Sequence, residues 1–360
     1  MRSIALAAGM VAMVVAACGE PTVVTVHASG ATLVAIDDGD GWQARPAGDL
    51  TFDEPDGVYR IAVTCRADTG TTRFVAGAPG DPTERDYDCP AGGGVDVSFD
   101  VTGDVHGMFI GYQATYSRDQ VVRIAPGTYD VIATQHSGFG GTFRAQVIRD
   151  VVIDGPTRIP IDVTGLGVPL EDFAAHVRGG FDVHGQLIGA SARGTWFQLQ
   201  SDTPRRLPAA VRVAGDVQTL HVTGLLDERF TQPGRAFEVA VPVTDGDVDV
   251  VVPTLATAIS FSAAPVPSMA VASMAGWDHA QLGVHQDNVY GVPGWSLTAS
   301  AGAIARGAAL AFPEPPPGWR PAWTVDTTGY YWWITTVSRA RAGGGYEKVW
   351  MSDGVYDPEP

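Results

Sequence analysis

The stretch Val95-Asp96-Val97-Ser98-Phe99-Asp100-Val101 sets four apolar side chains against three polar ones in strict alternation. A strand repeats its facing every second residue, so the valines and Phe99 share one face and Asp96, Ser98 and Asp100 the other. YRIAVTC (59–65), YDVIATQ (129–135), FEVAVPV (237–243) and VDVVVPT (248–254) are β-branched runs of strand length as well, separated by segments rich in Gly, Pro and Asp. The pattern predicts an all-β protein of tandem antiparallel β-sandwiches.

One segment breaks the alternation. In PLEDFAAHV (169–177), Leu170, Phe173, Ala174 and Val177 fall at i, i+3, i+4 and i+7. Pro169 can open a helix, Glu171 and Asp172 suit its first turn, and Gly179 or Gly180 can stop it, so a short connecting helix is expected. Boundaries follow near residue 92, at PAGGG, near 167–180, around the helix, and near 255–268, at AAPVPS. They divide the chain into a β-sandwich over 23–92, a second over 93–167, a helical connector over 168–180, a β domain over 181–255 and an aromatic-rich β domain over 256–360. The last two are equally readable as one domain. Two internal echoes, GVYRIAVT (57–64) with GTYDVIAT (127–134) and DVHGMFIG (104–111) with DVHGQLIG (182–189), suggest repeated modules.

Forty acidic residues against 23 Lys and Arg give a formal net charge of −17, which repels nucleic-acid phosphates and leaves no basic patch. Lys348 is the only lysine and reads as compositional bias. No GxSxG elbow, HExxH, P-loop or GxGxxG before a helix is present, so the expectation is a protein that is not an enzyme. His106 and His184 hold the same place in the DVHG echo, which points to a repeated strand-end position.

Upstream of Cys18, Arg2 precedes an uncharged apolar run from Ile4 to Ala17, the form of a secretory signal and too short for the roughly 20 residues of a transmembrane helix. Val15-Ala16-Ala17-Cys18 resembles the lipobox of bacterial lipoproteins. The resemblance implies a signal peptide over 1–17, a lipidated Cys18 at the mature N-terminus with a linker over 18–22, and anchoring to a membrane through the lipid. Gly19, where an Asp would signal inner-membrane retention, directs the expectation to the outer membrane, with the face it occupies open. In an exported chain the other two cysteines, Cys65 and Cys89, most simply form one disulfide, closing a loop of about 25 residues worth roughly 3 kcal/mol.

IAPGTYDVIATQHSGFGG (124–141) resembles the closing hairpin of carboxypeptidase-regulatory-like, transthyretin-like sandwiches, the match resting on Pro126, Gly127, Tyr129, Gly138 and Phe139. More broadly, LVAIDDGDGWQA (33–44) leading to DGVYRIAVTC (56–65) looks like bacterial envelope lipoproteins with tandem β domains. That resemblance implies an architecture and no activity.

Two features bear on ligands. Asp37, Asp38 and Asp40 in DDGDG, and Asp245, Asp247 and Asp249 in TDGDVDV, offer alternate carboxylates such as calcium collects in loops; the competing reading is a Gly/Asp hairpin turn. Seven of nine tryptophans lie between Trp277 and Trp350, and GYYWWITT sends Tyr330 and Trp332 to one strand face, Tyr331 and Trp333 to the other. One pair belongs in a core; the other meets a neighbouring domain, a ligand or solvent. The sequence thus predicts a non-enzymatic, lipid-anchored envelope scaffold whose partners are envelope proteins or glycans. A carbohydrate-binding or adhesive module using these aromatics is the alternative, and an enzyme of unrecognised type the third. No cofactor is expected beyond calcium in the acidic turns.

Overall fold

The alternation at 95–101 is realised as the strand Val95–Thr102, with Val97 and Phe99 buried and Asp96 and Asp100 exposed. The computed structural model describes residues 22–46, 48–65, 72–87, 94–117, 119–135, 143–199, 203–226, 234–254, 258–262, 266–286, 294–313, 316 and 331–355. Their regular secondary structure is almost entirely strand; among them the α-helices are the short turns Val163–Leu166 and Ala301–Ala305.

Twelve strands form one sheet, in the spatial order 42–45, 33–37, 59–64, 72–77, 294–300, 279–286, 331–340, 346–355, 234–242, 217–225, 181–190 and 196–199. Every neighbouring pair is antiparallel except 72–77 with 294–300, which runs parallel with Trp295 opposite Thr72 and Ala299 opposite Ala76. The ladder crosses the boundaries expected near 92 and 255–268, because strands from the blocks 23–92, 181–255 and 256–360 share it. Ala35, Ala62, Phe74, Leu297, Leu282 and Met351 lie on its buried face in one core. The same core takes in Phe173, Val248 and Val250, from ribbons 171–178 and 248–251, and Met269, from the ribbon 259–262 with 268–271. At the N-terminal end a small sheet, 50–53, 23–27 and 84–86, encloses Val24 and Val26 with Tyr59, Ile61 and Val63.

The block 93–167 forms its own sandwich. A five-stranded sheet, ordered 113–115, 107–110, 127–135, 144–153 and 168–169, faces a three-stranded one, 122–124, 95–102 and 157–162, across a core that includes Val97, Phe99, Met108, Ile110, Val131 and Ile159. The strands 127–135 and 144–153 pair as a hairpin, and the Tyr129 hydroxyl donates to the Ala125 carbonyl at 2.9 Å. Gly138 and Phe139 lie outside the described residues.

The helix expected over 169–177 is not formed: Val168–Pro169, Glu171–Asp172 and Ala175–Arg178 are extended. The same letters also fit a period of two, since Phe173, Ala175 and Val177 turn inward while Ala174, His176 and Arg178 are exposed. Parallel pairing of Ala175–Arg178 with Val248–Val251 decides between the two periods by satisfying backbone groups that so short a helix would largely leave open.

A polar latch fastens the middle sandwich to the large sheet. The Arg149 guanidinium donates to Asp130 at 2.8 Å, to Asp216 at 2.6 and 3.0 Å and to the Val211 carbonyl at 2.6 Å. Arg149 is 22% exposed, Asp130 2% and Asp216 4%. Burial alone would raise the Asp216 pKa, but Arg149 and the Val213 and Ala192 amides hold it below the ordinary value. Alongside, Thr195 donates to the Asp130 carbonyl at 2.6 Å and accepts from the Gly111 amide at 2.9 Å. Removing one member of a buried pair strands the other's charge. Arg149→Ala should therefore lower stability by about 3 kcal/mol or more. Arg158→Ala, which breaks an exposed pair with Asp100, should cost less than about 1 kcal/mol. Urea unfolding of the two variants checks this, and equal midpoints would contradict the latch.

Candidate functional site

The open face of the large sheet holds a shallow polar groove. The strands 279–286, 331–340 and 346–355 lie side by side, with His279 opposite Ser338 and Ser338 opposite Lys348; one step along, Gln281 faces Thr336 and Thr336 faces Trp350. Alternation sends these side chains away from the core that holds Ala280, Leu282, Val337 and Val349. His279, Gln281, Thr336, Ser338, Tyr346 and Lys348 line a groove of about 350 Å³, with Asp278, Arg339, Ala340 and Gly345 also in its lining. Gly345 is required there, since its φ is +77° and a Cβ would come within 2.0 Å of the Ala240 carbonyl oxygen.

Beneath one rim lies a half-buried carboxylate. Glu238 accepts from His221 Nδ1 at 2.6 Å and from the Tyr346 hydroxyl, with Lys348 Nζ at 3.6 Å. Burial pushes the Glu238 carboxyl up, but the His221 and Tyr346 hydrogen bonds and the Lys348 charge outweigh it and bring the pKa from 4.5 to about 2. Burial and the same carboxylate raise the Tyr346 phenol. Glu238 thus fixes the positions of His221, Tyr346 and Lys348 on this face. At the far rim, Arg339 donates to Glu347 at 2.8 Å and to the Gly276 carbonyl at 3.2 Å. Asp278 accepts from the Ala340 amide at 2.8 Å.

The residues singled out from sequence fall elsewhere. Trp333 is 5% exposed and stacks on Phe261, ring centroids 4.3 Å apart, so it is core. Tyr330 lies outside the described residues, as do the side chains of Tyr331 and Trp332. Asp37 accepts from the Gly39 and Gly41 amides and meets Arg60 at 3.4 Å, while Asp38 accepts from the Asp40 amide. Both are the contacts of a tight turn. In the second acidic turn, Asp245 pairs with Arg212, Asp247 accepts from the Ala174 amide and Asp249 meets Arg178. Arg206 donates to the carbonyls of Thr244, Asp245 and Gly246, so an internal guanidinium occupies the position in which a cation would gather these oxygens. Among the described residues no group of three or more His, Cys, Asp or Glu side chains converges on one point. In this arrangement the carboxylates of both acidic turns bind backbone amides and arginines of the chain itself. Cys18 and Cys89 lie outside the described residues. His106 and His184 are not brought together: the first follows the loop before the strand 107–110, the second lies in 181–190 beside Asp182.

The groove escaped the sequence reading because each strand supplies one or two polar residues from distant parts of the chain. The signal available was the alternation of Tyr346, Lys348 and Trp350 with buried neighbours. No protein-family model matches the chain, and no curated protein matches it.

The Glu238 pKa lies below its unfolded value, so the network's contribution is complete above about pH 5 and is lost as pH falls toward about 2. Glu238→Gln should lower stability at pH 7 and flatten the stability profile between those limits. Denaturant unfolding across that range checks it; parallel wild-type and variant profiles would show that Glu238 is not held in this way.

Proposed function

We propose that this chain is a lipid-anchored scaffold of the bacterial cell envelope, without catalytic activity of its own, which offers the groove face of its large sheet to other envelope components. The observation that carries this reading is how the charges are used. Arg149, Arg206, Glu238 and Glu347 each tie separate strands or turns together, while a broad polar face is left open. Such a molecule is built to stay rigid and present a surface.

The anchor rests on Val15-Ala16-Ala17-Cys18 following the apolar run from Ile4. Among the described residues no helix is long and apolar enough to cross a membrane. Residues 19–22 reach at most about 14 Å before the strand Val23–His27, so a lipidated Cys18 holds the small N-terminal sheet close to the bilayer. Outer-membrane placement follows Gly19 as before. Cys65 packs at the edge of the N-terminal core together with Tyr87, two positions before Cys89, which supports pairing of the two cysteines. In the membrane fraction of cells, intact-mass spectra should show Cys18 as a lipid-modified N-terminus, and alkylation without reduction should leave Cys65 and Cys89 unmodified. Cys18→Ser should move the protein from the detergent phase to the aqueous phase. Unmodified Cys18 with unchanged membrane association would overturn the anchor.

A further inference from the structure

We infer that the groove formed by the strands 279–286, 331–340 and 346–355 is a binding site for neutral, polyhydroxylated ligands, a saccharide of one or two rings. The inference rests on the reading of this face as the interaction surface, and it names the chemistry that surface would take.

The positive charges at the groove are already paired. Lys348 is paired with Glu238 at 3.6 Å and lies 5.3 Å from the Trp350 ring. Arg339 is committed to Glu347 and its guanidinium sits over Trp277 at 5.1 Å. One Asp278 carboxylate oxygen holds the Ala340 amide. An anionic ligand would have to break the Lys348 and Arg339 pairs to gain new ones, and such an exchange yields little.

What the groove leaves unspent is neutral hydrogen-bonding capacity. The side chains of His279, Gln281 and Ser338 are accessible and have no hydrogen-bond partner among the described residues; Thr336, on the same face, is 3% exposed and forms the floor between them. Their register is a grid: strands lie about 4.8 Å apart and successive same-face residues about 6.8 Å apart. Side chains on such a grid can reach non-adjacent hydroxyl groups of one sugar ring or hydroxyls of two linked rings, and Gln and His present both a donor and an acceptor. Tyr346 and Trp350, on the same face of the neighbouring strand, add aromatic surface next to polar groups, as an amphipathic ring requires. The volume of about 350 Å³ is at the small end of the roughly 300–1,000 Å³ range of ligand sites. Ala340 is the one aliphatic side chain in the lining, and the Tyr346 ring supplies its aromatic surface.

The site is tested by calorimetric titration of the full chain, solubilised in detergent, with neutral malto-, cello-, manno- and chito-oligosaccharides and with oligogalacturonate as the anionic counterpart. At least one neutral series should bind saturably, with an affinity that does not change between low salt and about 0.5 M salt, where charge pairing at the surface is screened. His279→Ala and Gln281→Ala should each weaken binding roughly three- to tenfold, the loss of one or two hydrogen bonds, with unchanged unfolding midpoints. Binding to none of the neutral sugars would overturn the inference. So would binding of oligogalacturonate alone with steep salt dependence, or binding that neither substitution affects. An unlipidated, freely soluble chain that still bound the sugars would sink the anchor and leave the groove assigned, so the two failures are separable.

Discussion

The structure depends most on the parallel junction between the strands 72–77 and 294–300. The backbone hydrogen bonds between these segments, from opposite parts of the chain, make one ladder of two groups of strands. Opening the junction would expose two rows of N–H and C=O groups beside Phe74, Leu297 and Trp295, all nearly inaccessible in the folded chain. That cost is far above what any single side-chain contact here supplies. It also places the groove: the strand 279–286, which carries His279 and Gln281, is the immediate neighbour of 294–300.

Charge plays an unusual part for a chain this acidic. Instead of forming a single-signed recognition surface, the arginines act as rivets. Arg149 joins the middle sandwich to the large sheet, Arg206 gathers three carbonyls of the 244–246 turn, and Arg339 and Arg341 converge on Glu347. The planar guanidinium, with five donors and a charge that does not titrate, is suited to bridging several acceptors at once. The single lysine is the exception. Lys348 sits at the groove rim on Glu238, where a compact ammonium fits beside an aromatic ring.

Sequence alternation carried most of the local structure. The runs at 59–65, 95–101, 129–135, 237–243 and 248–254 all contain strands, because one strand's facing is decided by its own residues. The segment 169–177 was ambiguous for a physical reason: Leu170, Phe173 and Val177 suit a helix, Phe173, Ala175 and Val177 suit a strand, and the partner that decides is at 248–251. Sheet order was not legible for the same cause, since no local feature of 72–77 indicates that it pairs with 294–300. Of the aromatic stretch, the expectation that one face is core agrees with Trp333 against Phe261. The groove was invisible because its side chains are ordinary Ser, Thr, Gln and His, and only their register makes them a set.

The central claim is that segments read as separate domains are welded into one cooperative sheet. Native-state hydrogen exchange followed by mass spectrometry addresses it directly. The amides of 59–64, 72–77, 294–300, 279–286, 331–340 and 346–355 should exchange at a common, highest protection level, as one unfolding unit. If 59–77 instead opened at markedly lower free energy, with 279–355 fully protected, the junction would be a mere contact between independent domains and the account would fail.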